Sequence, residues 1–348
     1  MTATAPSLPA LTIGGMNFAR PQTPPVTFVT CIEAGPLEPS VIWMIQSLRR
    51  WGGRFANCPV IAVTPRYGPA LRRRTLEELD RLDVRYVRQY LEHAYTWYNF
   101  LNKPASLVIA ERHARTEMMA WLDADVLVAG EPDELHLAEN VDWAACPSDR
   151  NLGSTGPGDR YEPYWSQLCR VLDLDVRQLP WVTTCREGTR IRFYFNGGIC
   201  CYRRDSDYAA RYLSTCLAAL EARCASRDAG LYFIEQCCFG LTVLRFGLRW
   251  KALPEDHNYT VGSRVADSFD ADAYARARLI HYHDAMWPDF YPRFCQMLRQ
   301  GQPAMHAWLS QQGPLSARGP LWSRMMTKAL KTVRGRRQRK VEAACTRH

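Results

Sequence analysis

The sequence contains no long hydrophobic run. None of its apolar stretches approaches the roughly 20 residues that a helix needs to cross a bilayer, which argues against a membrane-spanning helix. Residues 1–25 are rich in Pro, Ala and Thr and lack both the basic start and the continuous apolar segment of a signal peptide. We therefore expect a disordered lead-in over residues 1–25 and a cytoplasmic protein.

The cysteines lack a regular spacing. The chain has 13 Cys, an odd number, and no two of them are spaced as Cys-x-x-Cys. Several lie inside apolar runs, among them Cys31, Cys200 and Cys237, where cysteine behaves as a small buried hydrophobe. Reduced thiols are therefore expected rather than a framework of disulfides.

Excess charge is nearly absent outside the C-terminal tail. The formal net charge is +9, but residues 321–348 hold nine Lys and Arg against the single acid Glu342. The tail therefore carries +8, and +1 is left for everything before it. A nearly neutral body argues against general nucleic-acid binding.

The chain is long enough for one large α/β domain or two small ones. Its 348 residues are 47% hydrophobic and 23% charged, which is ordinary for a soluble globular protein. In the first 122 residues, β-rich runs alternate with segments of helical period, and such an alternation predicts a parallel, doubly wound sheet. The predicted strands are 26–32, 59–64, 84–87 and 118–122, and the predicted helices are 38–51, 70–82 and 103–115. Further on we expect a strand at 143–147, helices at 206–223 and 232–246, and a strand from Leu279 that ends in a polar loop.

Two carboxylates follow the fourth predicted strand. The segment Met118–Val128 is apolar except for Asp123 and Asp125, and residues i and i+2 of an extended chain point to the same side. Ligands bind at the carboxyl ends of strands in open α/β sheets, and Mg²⁺ or Mn²⁺ is commonly held by one or two carboxylates together with substrate phosphates. The pair predicts either a metal site for a diphosphate or a strand end whose aspartates cap the next turn.

Taken in order, these segments resemble the GT-A glycosyltransferases, most closely the family 8 type of nucleotide-sugar transferase. The resemblance extends over residues 26–290. It implies an α/β fold of GT-A type, with a mixed, mostly parallel sheet between helices, over residues 26–300, followed by a C-terminal extension over 301–348. The matching pieces are Thr27–Gly35, Asn102-Lys103, Leu122-Asp123-Ala124-Asp125, Phe195-Asn196-Gly197-Gly198, Glu235-Gln236, Leu253-Pro254 with Asn258, and Ile280-His281-Tyr282-His283.

The resemblance implies roles for particular residues. Asp123, Asp125 and His281 match the residues that hold Mn²⁺ on the donor diphosphate, and a histidine ligand favours manganese over magnesium. Asn196, Glu235 and Gln236 match positions that face the donor sugar and are the expected catalytic residues. The expected donor-binding residues are Thr30, Lys103, Asp123, Ala124, Asp125, Asn196, Gly197, Gly198, Gln236 and His283.

Two of these assignments have structural alternatives. Asn-Gly is also the strongest signal of a tight hairpin turn, so Asn196 is compatible with a plain turn between two strands. Lys103, which matches a family lysine that binds donor hydroxyls, is equally typical of a solvated helix start.

The sequence departs from the family pattern after the histidine. Family 8 enzymes continue as His-x-x-Gly-x-x-Lys-Pro-Trp, and the Lys braces the leaving diphosphate. Here Asp284 stands in the Gly place and Trp287 in the Lys place, which leaves the stereochemical outcome open. His283 and Arg293 are candidates to replace the missing cation. His283 is also an alternative metal ligand. We expect the two histidines to face opposite sides of the strand, so that only one of His281 and His283 reaches the ion.

A basic amphipathic helix is predicted near the C-terminus. From Trp322 the apolar residues recur at 322, 325, 326, 329, 330 and 333, while Arg324, Lys328 and Lys331 lie off this stripe. Such a pattern is typical of an interfacial membrane anchor, so we expect peripheral contact with the inner face of a membrane through residues 321–340. The alternative is that the stripe docks on the protein's own body. No specific nucleic-acid partner is expected.

The sequence therefore predicts a metal-dependent glycosyltransferase that moves a hexose from a nucleotide sugar to an acceptor. The expected donor is a UDP-sugar, and the acceptor is an unidentified glycan, lipid or protein. A glycine-rich loop at 152–159 is expected to carry a mobile lid over Gly153–Gly158 that excludes water. Two other functions stay open. One is a catalytically silent nucleotide-sugar-binding protein, which the missing Lys favours. The other is a metal-dependent phosphohydrolase that uses His281, His283 and Asp284 together with the two aspartates.

Overall fold

The computed structural model describes residues 23–262, 269–316 and 319–347, so most of the predicted lead-in lies outside the described residues. The strands are β1 (Val26–Cys31), β2 (Val60–Thr64), β3 (Val84–Arg88), β4 (Met118–Leu122), β5 (Val126–Val128), β6 (Trp143–Ala145), β7 (Trp181–Thr183), β8 (Arg190–Arg192), β9 (Ile199–Arg203), β10 (Cys224–Ala225), β11 (Trp250–Ala252), β12 (Tyr259–Thr260), β13 (Leu279–His281) and β14 (Thr346–Arg347). The α-helices are α1 (Leu37–Trp51), α2 (Arg73–Arg81), α3 (Asn102–Glu111), α4 (Glu162–Val171), α5 (Tyr208–Glu221), α6 (Ile234–Arg245), α7 (Ala271–Arg276), α8 (Tyr291–Gly301), α9 (Pro303–Leu309) and α10 (Leu321–Ala343).

Seven strands form the central sheet in the order β3-β2-β1-β4-β9-β6-β11. β9 is antiparallel to its neighbours β4 and β6, whereas the other adjacent pairs of this sheet are parallel. This architecture confirms the predicted α/β fold class, with a mixed, mostly parallel sheet between helices. The strands and helices predicted in the first 122 residues are present with small shifts at their ends, while α4, α7, α8 and α9 were not predicted.

The two faces of the sheet are covered by separate hydrophobic clusters. Met119 and Trp121 of β4 pack on one face with residues of α3, α5 and α6. Met118, Ala120 and Leu122 of the same strand pack on the other face with residues of α1. Because side chains alternate along a strand, a strand covered on both faces has to be apolar throughout, which explains the continuous hydrophobic run of β4. Each large side chain that is fully buried in this way contributes about 1.5–3 kcal/mol to stability.

A small second sheet lies beside the central one. β13 runs parallel to β12 and antiparallel to β5, with His281 opposite Val126. The chain leaves the central sheet at the end of β4 and enters the small sheet at β5. The residues between β4 and β5 therefore lie where the two sheets meet, next to the end of β13.

The segment beyond residue 300 continues the packing of the preceding residues. Met305 and Leu309 of α9, together with Leu315, share a hydrophobic cluster with Tyr282 and Phe294. The predicted division at residue 300 thus runs through one cluster, and the division of the chain into a domain and an extension stays a prediction. None of the helices in the described ranges combines the length and the apolar character that a bilayer crossing requires.

Candidate active site

A cleft of about 1100 Å³ opens at the carboxyl ends of β1, β2 and β4. Because parallel strands end at the same edge of a sheet, the residues that follow them converge there. The lining residues from this edge and from the opposite wall include Glu33, Arg66, Lys103, Asp123, Ala124, Asp125, Asp149, Arg186, Asn196, Gly198, Tyr232, Glu235, Gln236, His281, His283 and Trp287. Of the ten donor-binding residues predicted from the sequence, eight line the cleft, and Thr30 and Gly197 do not.

Asp123 and Asp125 lie in a tight turn between β4 and β5. The amide of Val126 donates to the carbonyl of Asp123 at 3.2 Å, and the amide of Asp123 donates to the carbonyl of Gly198 at 2.8 Å. The two carboxylates lie together as predicted, but the segment that carries them is a turn and not an extended strand. The two side chains converge because the chain reverses between two sheets. Trp121 fixes one of them, since its Nε1 donates to Asp123 Oδ1 at 2.6 Å.

His281 completes a group of three potential metal ligands. One ligand atom from each of Asp123, Asp125 and His281 lies within 4.8 Å of the other two. His281 is 4% exposed, and its Nδ1 is buried without a hydrogen-bond partner among the described residues. Two carboxylate oxygens and an imidazole nitrogen fit a divalent cation such as Mn²⁺.

The charges of this group are strongly coupled. Burial raises the pKa of Asp123 to about 6, an effect that Asp125 reinforces and Lys103 opposes. Burial also acts to raise the pKa of Asp125, but the neighbouring imidazole of His281 outweighs it and holds that pKa at about 2. Burial by itself lowers the pKa of His281, and the carboxylates of Asp125 and Asp123 raise it above its usual value. Concentrated negative charge of this kind favours a bound cation.

His283 does not lie on the opposite side of the strand from His281. The two imidazole rings stack with their centroids 3.9 Å apart and an angle of 21° between their planes. β13 ends at His281, and His283 adopts a left-handed backbone conformation with φ of 51°. The prediction of opposite sides is wrong, because residues two apart on a strand share a side. The group that could hold an ion includes His281 and not His283.

The Asn-Gly-Gly segment is not a hairpin turn. It joins β8, which pairs with β7, to β9, which lies in the central sheet. Asn196 is 4% exposed; its Nδ2 donates to Asp149 Oδ2 at 3.3 Å, and its Oδ1 accepts from the amide of Gly198 at 2.9 Å and from Asn258 Nδ2 at 3.0 Å. The sequence alternative of a plain hairpin is therefore wrong, and Asn196 is a fixed polar group in the cleft.

Lys103 lies buried in the cleft and not at a solvated helix start. Its side chain is 10% exposed, and Nζ lies 3.2 Å from Glu235 Oε1 and 3.8 Å from Asp123 Oδ1. Nζ also donates to the carbonyl of Gly197 at 2.6 Å. Burial would lower the pKa of Lys103, but the carboxylates of Asp123 and Glu235 raise it above its usual value. The lysine stays charged and links the aspartate turn to α6.

Glu235 and Gln236 stand at the start of α6 with their polar groups held by tyrosines. Glu235 is buried and accepts a short hydrogen bond from the hydroxyl of Tyr212. The Nε2 of Gln236 donates to the hydroxyl of Tyr194 at 2.6 Å. Buried polar groups need such partners, and here the partners fix both side chains at the cleft wall.

Two predicted elements lie away from the cleft. Thr30 is fully buried within β1, and the neighbouring residues Cys31 and Glu33 line the cleft instead. The loop proposed as a lid, Gly153–Gly158, also lies outside the cleft lining. Its Thr155 hydroxyl donates to Asp159 at 2.7 Å, and Arg150 Nη2 donates to the same carboxylate at 2.5 Å. Donor binding by Thr30 and closure of the loop stay predictions.

Asp149 is a candidate that the sequence reasoning missed. It is 8% exposed, lines the cleft and binds the amides of Asn196 and Asn151. Burial raises its pKa to about 6, with further repulsion from Glu187. The available signal was its position just after the predicted strand 143–147, at the same sheet edge as Asp123.

The position that matches the lysine of the family 8 pattern holds no cation in the described cleft lining. Trp287 lines the cleft at the corresponding position, whereas Arg293 is absent from the described lining. Other cations of the described residues do line the cleft, namely Arg66, Lys103, Arg186, Lys331 and Arg334. Two of them belong to α10, which the sequence analysis placed outside the donor site.

The chain has distant structural similarity to several solved glycosyltransferases. The bifunctional glycosyltransferase WbbM, in its apo form, is 12% identical to the chain with a TM-score of 0.46, over 85% of this chain and 53% of that one. GlyE of Streptococcus pneumoniae TIGR4 is 11% identical with a TM-score of 0.45, over 86% and 66%. The galactosyltransferase LgtC, in complex with donor and acceptor sugar analogs, is 10% identical with a TM-score of 0.43, over 79% and 96%. The chain thus spans about half the length of WbbM.

The family follows from the sequence match. No curated protein has a sequence that matches the chain. Residues 28–247, however, match the family model described as the Rhodobacterales glycosyltransferase domain. That range extends from within β1 to the end of α6 and contains both aspartates, Lys103, Asn196 and Glu235. Since the match covers more than half of the chain, this protein belongs to the Rhodobacterales glycosyltransferase domain family.

Proposed function

We propose that the protein is a metal-dependent hexosyltransferase with a donor site of family 8 type, which uses a UDP-sugar and Mn²⁺ or Mg²⁺. The observation that carries the proposal is the convergence of Asp123, Asp125 and His281 within 4.8 Å at the carboxyl end of β4. The buried Lys103–Glu235 ion pair lies next to this group. A diphosphate bound through a cation brings its sugar toward such polar walls.

The residues of the cleft fall into metal ligands and groups that orient the donor sugar. Asp123, Asp125 and His281 would hold the ion, which supplies Lewis-acid stabilisation of the departing diphosphate. Asn196, Glu235 and Gln236 orient the donor sugar through side chains that protein partners already fix. Fixed donors and acceptors need little reorganisation during the reaction, which is the main source of electrostatic catalysis.

Calorimetric titration with UDP in the presence of Mn²⁺ tests the proposal. Asp125→Asn removes an anionic ligand while it keeps the size of the side chain, so we expect UDP affinity to fall by at least about 100-fold. The matched control is Asp80→Asn, which changes an exposed carboxylate at the surface of α2. Equal UDP affinity in the Asp125 variant, or binding that survives chelation of the metal, contradicts the donor site.

Turnover separates the transferase from its rivals. A transferase without its acceptor is expected to hydrolyse UDP-sugar slowly in a metal-dependent way. The replacement of the family lysine by Trp287 favours a silent nucleotide-sugar-binding protein, which should bind UDP and show no hydrolysis. Cleavage of a phosphate ester without UDP binding would favour a phosphohydrolase.

We also propose that the protein is cytoplasmic and contacts the inner face of a membrane through the outer side of α10. Exposed apolar residues support this, since Trp322, Met325 and Val333 are 58%, 64% and 50% exposed, and cationic residues adjoin them on the helix. Each cation near an anionic surface contributes about 1 kcal/mol.

Flotation with vesicles that contain phosphatidylserine tests the membrane contact. The double variant Trp322→Ala, Met325→Ala is expected to lose most of the bound fraction, because it removes the largest apolar groups of that side. Phe290→Ala, which removes an exposed aromatic group elsewhere, is the control. Flotation that is equal in all three proteins contradicts a role for α10.

A further inference from the structure

One continuous face of α10 lines the cleft. The residues of this inner face are Thr327, Leu330, Lys331, Arg334, Gly335 and Gln338. Their spacing is that of one helical face, and at 1.5 Å per residue they extend along about 17 Å of the cleft. A contact of this length makes α10 a wall of the cleft along three turns of the helix.

Bonds at its C-terminal half hold α10 in this position. Arg334 Nη2 donates to the carbonyl of Tyr67, in the loop that follows β2. Glu342 Oε1 accepts from Gln338 Nε2 at 3.0 Å and from the amide of Leu231 at 3.5 Å. After the helix, β14 pairs with β10. The helix is thus fixed to both walls of the cleft, at the β2 loop and beside α6.

The polarity of α10 is inverted relative to a helix that packs on a core. Its inner face is mostly polar, with Lys331, Arg334 and Gln338, while the strongly exposed residues include Trp322 and Met325. A helix that docks only for stability turns its apolar stripe inward. A polar inner face instead suits a polar ligand in the cleft.

The cleft carries uncompensated positive charge at the end where Arg334 of α10 meets the loop after β2. Arg66 binds Glu33 through Nε at 2.6 Å and Nη2 at 2.8 Å, and its Nη1 is buried without a partner among the described residues. Arg334 approaches this ion pair as a second guanidinium, and burial together with repulsion from Arg66 lowers its pKa. Two guanidinium groups beside one carboxylate attract a further anion.

We propose that the inner face of α10 forms part of the donor site. Arg334 and Gln338 contact the bound nucleoside diphosphate. Arg334 also supplies a positive charge, which Trp287, in the place of the family 8 lysine, does not carry. The inference rests on the proposed function as a nucleotide-sugar transferase. It extends the donor site past His281 to α10, and both lie outside residues 28–247, which the family match covers. Guanidinium groups bind phosphate oxygens with two parallel hydrogen bonds, which gives both charge and orientation.

Calorimetry with UDP and Mn²⁺ on the full chain tests this inference. Arg334→Ala is expected to weaken UDP binding about tenfold and Gln338→Ala about threefold, with Arg334→Lys in between because it keeps the charge and loses the fork. The matched control is Arg337→Ala, which removes an exposed cation from the outer side of the same helix and should leave UDP affinity unchanged.

The outcomes distinguish the inference from the proposed function. If Arg334→Ala and Gln338→Ala bind UDP as the wild type does while Asp125→Asn does not, α10 is no part of the donor site and the transferase proposal stands. If Asp125→Asn also binds normally, the proposed function itself fails. Tighter UDP binding in either α10 variant would show that the helix blocks the cleft, which overturns the inference. If Arg334→Ala does not fold because its hydrogen bond to Tyr67 is lost, the UDP affinity of Gln338→Ala decides whether α10 belongs to the donor site.

Discussion

Gly198 has no side chain at a place where the imidazole of His281 needs the space. A Cβ on Gly198 would lie 2.2 Å from Cε1 and 2.3 Å from Nδ1 of that ring. A Cβ on Gly197 would lie 2.6 Å from Nζ of Lys103. Both glycines were expected to bind the donor, and in the structure each leaves room for a side chain of the protein. At the scale of residues, the position of His281 in the candidate metal group therefore depends on the absence of a side chain at Gly198.

Gly198→Ala should weaken metal binding without removing a ligand. The new methyl group displaces His281 or strains the turn, and overpacking of this kind costs about 1–3 kcal/mol. We expect at least a tenfold loss of Mn²⁺ affinity, measured by titration of the ion alone. Gly319→Ala is the control, because a Cβ there meets no atom within 4 Å. Unchanged affinity in Gly198→Ala would mean that His281 does not hold the ion.

At the scale of elements, Lys103 connects the first turn of α3 to the first turn of α6. A cation is unfavourable at a helix N-terminus, where the dipole favours anions, so helix stability does not explain Lys103. Glu235, at the N-terminus of α6, is favourable there. The position of Lys103 follows from the two carboxylates that surround its Nζ, Glu235 at 3.2 Å and Asp123 at 3.8 Å. The pair fixes α3 and α6 relative to the aspartate turn.

A double-mutant cycle measures this connection. Lys103→Met leaves the carboxylate of Glu235 buried without its cation, so the free energy of unfolding should fall by about 3 kcal/mol. Adding Glu235→Gln should restore part of the loss, because the amide carries no charge and keeps Tyr212 as a partner. Urea unfolding gives both values. Arg73→Ala, which breaks an exposed pair with Glu77, should change stability by less than about 1 kcal/mol. Additive effects of the two changes at 103 and 235 would contradict the coupling.

At the scale of the whole molecule, one buried carboxyl far from the metal group affects stability against pH. Burial raises the pKa of Glu111, at the end of α3, to about 7, and its Oε1 has no hydrogen-bond partner among the described residues. The folded pKa lies above the unfolded one, so the carboxyl stabilises the fold below the unfolded pKa, and this stability is lost as pH rises through the folded pKa. The ionisation of Glu111 therefore lowers the free energy of unfolding as the pH rises from about 4.5 to about 8.

Glu111→Gln should remove that dependence. The amide stays neutral, so the gain in free energy of unfolding relative to the wild type should be larger at pH 8 than at pH 5, by about 2 kcal/mol. Urea unfolding at the two pH values measures it. Glu117→Gln changes an exposed carboxylate of the same region and serves as the control. A gain that is equal at both pH values would contradict the raised pKa.

Much of the fold could be predicted because its signals are local. The apolar run of β4 and the alternation of strands with helices report burial on both faces of a sheet, and the position of Asp123 after that run placed it at the ligand-binding edge. The ordered pieces around Asn196, Glu235 and His281 then predicted which distant segments meet in the cleft. The structure brings all four of these residues to one cleft.

What the sequence could not determine depends on backbone reversals and on long-range packing. Strand alternation places residues two apart on one side, but the close stacking of His283 on His281 also depends on the end of β13 and on a left-handed residue. Asp149 reached the site through its position after β6, not through a motif. The apolar stripe of α10 predicted the helix, but hydrophobic periodicity identifies the side that prefers to be buried. Only the tertiary structure decided that the polar side of α10 lines the cleft, because that placement depends on the bonds of Arg334 and Glu342 to loops far away in the sequence.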